Sequence, residues 1–281
     1  RRMRWASFLG AATAMAVDSA KVRKKIESID DLPTLPTVAS QIIGMASSPM
    51  TNAADVGRMI EQDQALTAKV LKLVNSAFYG FPGQIKSIQH AVVIMGFNKV
   101  KNVVVTASVF DMAKGRKSDR LDLSRFWQHS LGTAVSAKVA TKGLNSDLQP
   151  DDAFVGGLVH DIGKLILDQF LADEYGPVLE AARERGCLIV EAEKDMLGFN
   201  HSRVGSWLAE KWQLPSTLQH AISQHHRPTH AREDRDMVAA IHLGDIFARA
   251  LGVGNGGDNR IPAIQPGVWQ QYGLTEAFRS T

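Results

Sequence analysis

One cysteine, Cys187, stands in the whole chain of 281 residues. That excludes an intramolecular disulfide and any cysteine-rich metal site. It fits a reducing compartment, and the expected location is cytoplasmic. A surplus of charge is also lacking: 32 Lys and Arg against 29 Asp and Glu leave +3. So small an excess does not announce a nucleic-acid partner. No run reaches the roughly 18 apolar residues that cross a bilayer. Strand signals are scarce, and there is neither an internal repeat nor a low-complexity tract. At 44% apolar and 22% charged residues, the composition is that of a folded chain with a sizeable core, not of a disordered one.

What is present is helical periodicity. Arg1-Arg2-Met3-Arg4 and the apolar residues 5–17 imitate a signal peptide. The spacing of Trp5, Phe8, Leu9, Ala12, Met15 and Ala16 fits an amphipathic helix better, and a helix is expected within 1–30. The chain opens on Arg1 instead of Met, consistent with a native start further upstream. Further helices are expected from Val38, from Asn52, over residues 64–78, from Ser87, and over 99–112. Val103-Val104-Val105 leaves a strand as the local alternative. Beyond a polar stretch, helices follow over 125–142, from Pro150 to about Leu171, and over 175–185, 188–198, 201–212, 216–225 and 236–251. Residues 252–266, rich in Gly, Asn and Pro, read as a loop, and 274–279 as a last short helix. The fold class is therefore all-α, with two packed helical subdomains over 1–113 and 124–281 and a hinge at 114–123.

Eight of the nine histidines fall within residues 129–242, so the second half carries the chemistry. Its most informative segment is Gly157-Leu158-Val159-His160-Asp161-Ile162-Gly163-Lys164, set among Phe154, Val155, Leu165, Ile166 and Leu167. Burying His, Asp and Lys in such a helix is costly unless they pair or bind something. Lys164 follows His160 by four and Asp161 by three, so all three can share one helical face. Imidazole with carboxylate suits a divalent metal, and a nearby ammonium suits a phosphate oxygen. The plain alternative is an internal Asp–Lys pair.

Taken singly, the other candidates have ordinary explanations. His129 can be a satisfied core histidine, and His201 a residue at a helix start. His225 and His226 sit where a helix ends, which mildly favours positive charge. Asp245, between Leu243 and Ile246, asks for a partner that His242 can supply. In the first half, Gln62, Asp63, Asn75, Ser76 and Tyr79 can line a binding surface, or can cap helices and tie turns.

Taken in order, several motifs resemble the HDOD family, the HD-related output domains of bacterial signalling proteins. They are Leu32-Pro33-Thr34-Leu35-Pro36, Ile60-Glu61-Gln62-Asp63-Gln64-Ala65-Leu66, the stretch from Val70 through Asn75-Ser76-Ala77-Phe78-Tyr79-Gly80, and Ile88-Gln89-His90-Ala91 through Met95-Gly96. In the second half they are Gly157 to Lys164, Gly198-Phe199-Asn200-His201, Trp212-Gln213-Leu214-Pro215 and His225-His226-Arg227-Pro228. The resemblance spans about residues 30–250 and extends, more distantly, to the HD-GYP phosphodiesterases.

The resemblance implies an HD-like helical bundle in the second half, with His129, His160, Asp161, His201, His225, His226 and Asp245 at the places of metal ligands. It places Asp161 as a bridge between two metals and Lys164 as the contact to substrate phosphate, these two being the candidate catalytic residues. One or two divalent ions are implied, from among iron, manganese, zinc and nickel. The sequence departs from HD-GYP in two ways: no Gly-Tyr-Pro follows His225-His226, and Arg125 stands where some members carry a glutamate. The function implied is a signal-transduction output protein working through a signalling partner or a ligand. A metal-dependent phosphohydrolase acting on a nucleotide or cyclic dinucleotide is the alternative.

Overall fold

A computed structural model describes residues 24, 37–45, 52–76, 79–112, 118, 120–144 and 146–272. The expected helix within 1–30 (residue 24 apart), the motif at 32–36, Ala77 and Phe78, hinge residues 114–117 and 119, and the helix at 274–279 lie outside the described residues. Among the described residues there are helices and no strands.

The first half holds α1 (Thr37–Met45), α2 (Ala53–Glu61), α3 (Gln64–Val74), α4 (Ile88–Met95) and α5 (Phe97–Met112). Local chemistry sets their starts. Asn52, Asp63 and Ser87 each accept a hydrogen bond from the backbone N–H three residues on, satisfying one orphan donor of the first turn. Asn75 ties α3 to the chain ahead of α4: its Nδ2 donates to Leu71 O and Ile85 O and its Oδ1 accepts from Ile85 N, all at 2.8 Å. Ser76 Oγ donates to Leu73 O at 2.6 Å. These polar residues therefore build the scaffold, as the capping reading expects. Val103, Val104 and Val105 are all buried inside α5. Burial on every side overrides their β preference, which needs a neighbouring strand to be realised.

The second half holds α6 (Leu123–Ala140), α7 (Pro150–Val159), α8 (Ile162–Phe170), α9 (Ala172–Arg185), α10 (Ile189–Leu197), α11 (His201–Lys211), α12 (Ser216–Gln224), α13 (Arg235–Ala250) and α14 (Pro266–Tyr272). Helix α6 presents Phe126, His129, Ser130, Thr133, Ala134 and Ala137 along one buried stripe, with the spacing of a core-facing helix. It packs between α7 and α13, and α11 packs against α8 and α12. One apolar core runs through both halves, from Ile42 and Val104 to Leu158, Tyr175 and Ile222. The halves meet where α5 lies on α7, and there Asn102 Nδ2 donates to Asp152 Oδ1 at 2.6 Å.

One expected helix, from Pro150 to about Leu171, is divided. Helix α7 stops at Val159, His160 and Asp161 form the break, and α8 restarts at Ile162. Asp161 leaves helical geometry at φ −98°, ψ 9°, while its carbonyl accepts from Lys164 N at 2.9 Å. The break turns both side chains of the dipeptide inward and keeps Lys164 one turn away. Gly163 allows this, because a Cβ there would lie 2.0 Å from His201 O.

Candidate metal centre

Five segments deliver the candidate ligands to one place, buried except at the half-buried His226. His129 comes from α6, His160 and Asp161 from the α7–α8 break, and His201 from the first position of α11. His225 and His226 follow the end of α12, and Asp245 lies inside α13. Helix α11 starts there because Asn200 caps it, accepting from Arg203 N at 3.2 Å.

Asp161 is the hub. Its Oδ1 is 3.1 Å from His201 Nε2 and 3.7 Å from His225 Nε2. Its Oδ2 is 3.3 Å from His160 Nε2, 3.6 Å from His129 Nε2 and 2.6 Å from Lys164 Nζ. His226 Nε2 approaches His201 Nε2 at 2.9 Å. Two ligand sets result: Asp161 with His201, His225 and His226, and Asp161 with His129 and His160, each with its ligand atoms within 4.8 Å of one another.

The imidazoles are oriented from behind. His160 Nδ1 donates to Gly157 O at 2.7 Å, and His225 Nδ1 to Ile222 O at 2.9 Å. A carbonyl only accepts, so the proton sits on Nδ1 and the Nε2 lone pair faces the centre. His160 Nε2 and His225 Nε2 are buried with no hydrogen-bond partner among the described residues. Leaving such atoms unpaired is costly unless something binds them. Neutral imidazole lone pairs converging on an ionised carboxylate fit a divalent cation. On this chemistry the donor set suits the metal that the sequence led us to expect.

A family model for the HDOD domain matches residues 32–228. The chain belongs to the HDOD domain family. An HDOD protein from Geobacter sulfurreducens is 27% identical, with a TM-score of 0.75 over 92% of this chain and 90% of that one. A Marinobacter aquaeolei protein provisionally named for signal transduction is 22% identical at TM-score 0.71, covering 93% of this chain and 60% of that one. A Shewanella amazonensis protein provisionally named a metal-dependent phosphohydrolase is 21% identical at TM-score 0.59, over 91% and 86% of the two chains. The last two share the fold. An uncharacterized Treponema pallidum protein is 25% identical over 226 residues, 80% of this chain and 44% of its own length. A second curated relative, YuxH of Bacillus subtilis, is matched over 39% of its length, so the chain spans less than half of each. All these relatives are bacterial.

Around this HDOD centre lie groups the sequence did not single out. Glu193, buried in α10, accepts from His201 Nδ1 at 2.6 Å and His201 N at 2.9 Å through Oε2, and from Tyr175 Oη at 2.9 Å through Oε1. The signal was present: Glu193 shares a helical stripe with Ile189, Ala192 and Leu197, an acid where apolar residues belong. Arg249 Nε donates to Asp245 Oδ1 at 2.7 Å, and its other arm reaches Asp258 Oδ1 at 2.9 Å. The i,i+4 spacing from Asp245 to Arg249 was equally visible. Asp245 also lies 3.1 Å from His129 Nε2. His242 is not its hydrogen-bond partner: His242 Nδ1 donates to His225 O at 2.8 Å, and its Nε2 accepts from Gln265 N at 3.2 Å. Lys164 Nζ also donates to Gly256 O at 2.7 Å, tying the 252–266 loop to the centre. In that loop Gly254, at φ +68°, passes so close to His129 that a Cβ would lie 2.2 Å from its backbone nitrogen.

Charge is set by this enclosure. Burial works to raise the Asp161 carboxyl, but the neighbouring His160, Lys164 and His201 outweigh it and hold it well below the usual carboxylate range. Burial opposes ionisation of Asp245 too, and Arg249, with His129, overcomes it. Burial pushes His225 and His226 well below the ordinary histidine value, and neighbouring imidazoles add to the effect. His129 is also lowered by burial, against the pull of Asp245. His201 is raised: burial opposes its charge, and Glu193 together with Asp161 outweighs that.

Proposed function

We propose that this HDOD domain is a signal-output module built around one divalent cation, working in the cytoplasm through a signalling partner protein. Asp161, His201, His225 and His226 would hold the ion, for which iron, manganese, zinc or nickel suits the mixed nitrogen and oxygen donors. The observation that carries this reading is the division of the Asp161 carboxylate. Oδ1 faces His201 and His225, whereas Oδ2 is held by the Lys164 ammonium. Asp245 Oδ1 is likewise held by Arg249. Internal cations thus stand where a second ion would need carboxylate oxygen. Such an ion, when bound, supplies a Lewis acid that lowers the pKa of coordinated water. Glu193 orients His201 toward it, and Lys164 keeps Asp161 ionised.

The test is elemental analysis of the purified chain. The expected result is about one equivalent of transition metal in the wild type, and none in His201→Ala with His226→Ala. Equal metal in both proteins would overturn the assignment.

A second reading, a metal-dependent phosphohydrolase of a nucleotide or cyclic dinucleotide, is favoured by one feature. His129 and His160 still turn toward Asp161 Oδ2, and Lys164 lies beside them. Phosphate contact through Lys164 would require its ammonium to exchange Asp161 Oδ2 or Gly256 O for substrate oxygen. Turnover of bis(p-nitrophenyl) phosphate by the manganese-loaded protein, abolished in Lys164→Met, would support it. No turnover in fully metallated protein would leave the signalling reading alone.

A further inference from the structure

Beside the metal centre lies a cleft of about 550 Å³ walled by arginine. Arg120 and Arg125 come from the start of α6 and the chain before it, Arg183 from α9, and Arg260 from the loop after α13. All four side chains are exposed to solvent. Two are free: the guanidiniums of Arg183 and Arg260 make no hydrogen bond or ion pair among the described residues. The other two are loosely held. Arg120 reaches Asp173 only at 3.8 Å, across open solvent, and Arg125 reaches Gly254 O only at 3.5 Å.

Two carboxylates share the lining, and both are engaged elsewhere. Asp122 caps α6 by accepting from Arg125 N at 3.0 Å. Asp258 accepts from Arg249, from Arg260 N and from Ile189 N. The cleft therefore sets four guanidiniums against two carboxylates, one of which, Asp258, is already paired with Arg249. Leu179 and Ala182 add an apolar wall, and Asn255 and Asn259 add amide groups.

We propose that this cleft is a binding site for a small phosphate-bearing ligand of nucleotide size. Guanidinium forks match phosphate oxygens in charge and shape, and several of them suit an anion carrying more than one negative charge. The volume lies within the roughly 300–1,000 Å³ of small-molecule sites. The site goes beyond the metal reading and does not depend on it. It adjoins the centre through shared walls: Arg125, Asp258 and Arg260 also line a cavity of about 160 Å³ that reaches His129 and Arg249.

The test is equilibrium dialysis of the full chain, as purified, against ADP and adenosine. ADP is expected to bind with Kd below about 1 mM, and adenosine at least about tenfold more weakly. Arg183→Ala with Arg260→Ala is expected to weaken ADP binding by about tenfold or more without changing the melting curve, since both side chains are exposed and unpaired. Lys69→Ala with Lys72→Ala, on the distant α3, removes equal charge and should leave ADP binding unchanged. The proposal is overturned if ADP does not bind at about 1 mM, if adenosine binds as well as ADP, or if the two double variants behave alike.

Discussion

Lys164 Nζ lies 2.6 Å from Asp161 Oδ2, with both groups buried and one helical turn apart. The pair leaves Oδ1 of the same carboxylate to the imidazoles of His201 and His225. Removing one partner of a buried ion pair typically costs about 3–5 kcal/mol, because the other charge is left uncompensated. Lys164→Met should therefore destabilise the metal-free chain by roughly that amount. Adding a divalent cation should recover part of the loss by neutralising Asp161. Urea unfolding with and without metal measures both, and a variant as stable as wild type would show that the pair contributes little.

Glu193 orients His201 without belonging to the ligand set. Outer partners of this kind are worth about 10–100-fold in metal affinity. Glu193→Gln should weaken metal binding by that order while far-UV circular dichroism stays unchanged. Chelator competition reads the affinity. An unchanged value would mean that the ring is held by packing alone.

Asp245 separates a one-ion centre from a two-ion centre. Its Oδ1 is held by Arg249 at 2.7 Å and lies 3.1 Å from His129 Nε2. In Asp245→Asn, metal content should stay near the wild-type value, whereas in Asp161→Asn it should fall. Elemental analysis of the two variants decides. Loss of half the metal in Asp245→Asn would point to a second ion at His129 and His160.

Acid should destabilise the metal-free protein. His129, His225, His226 and His242 all titrate below their ordinary value of 6.5 in the fold. Below that pH the unfolded chain binds protons that the folded chain refuses, so stability falls as pH falls. His201, with its pKa raised, acts in the opposite sense: its contribution is complete below 6.5 and fades as pH rises through its folded value. Four groups outweigh one. Asp161 and Asp245, both depressed, extend the loss through lower pH, where their carboxylates finally protonate. The melting temperature of the metal-free protein should decline from about pH 7 to pH 5. A flat profile would show that these groups are not buried as described.

Gly163 tests the architecture. A Cβ there would lie 2.0 Å from His201 O and 2.7 Å from Gly205 N, both backbone atoms. Gly163→Ala must push α8 away from α11, at a cost of roughly 1–3 kcal/mol or more. Thermal unfolding should register it, with weakened metal binding alongside. Wild-type stability would mean that the two helices slide apart freely.

The sequence by itself determined the helical class, most helix starts, and the residue types of the centre. Those are local matters. Apolar spacing, a cap such as Asn52 or Asn200, and a proline such as Pro150 act within a few residues, and the chemistry of His and Asp needs no context to be named. The sequence did not determine that α7 and α8 part at His160–Asp161, since both halves carry helix-forming residues, nor that α8 would lie against α11 at Gly163, which is a tertiary contact. Nor did it assign partners. His242 and Arg249 are both on the helix of Asp245, three and four residues away, and periodicity alone ranks them equally. Only the packing of α13 against α6 and α12 turned His242 to His225 O and left Asp245 to Arg249 and His129. Helical phase fixes which side chains share a face. Which face meets which is decided by the core they bury together.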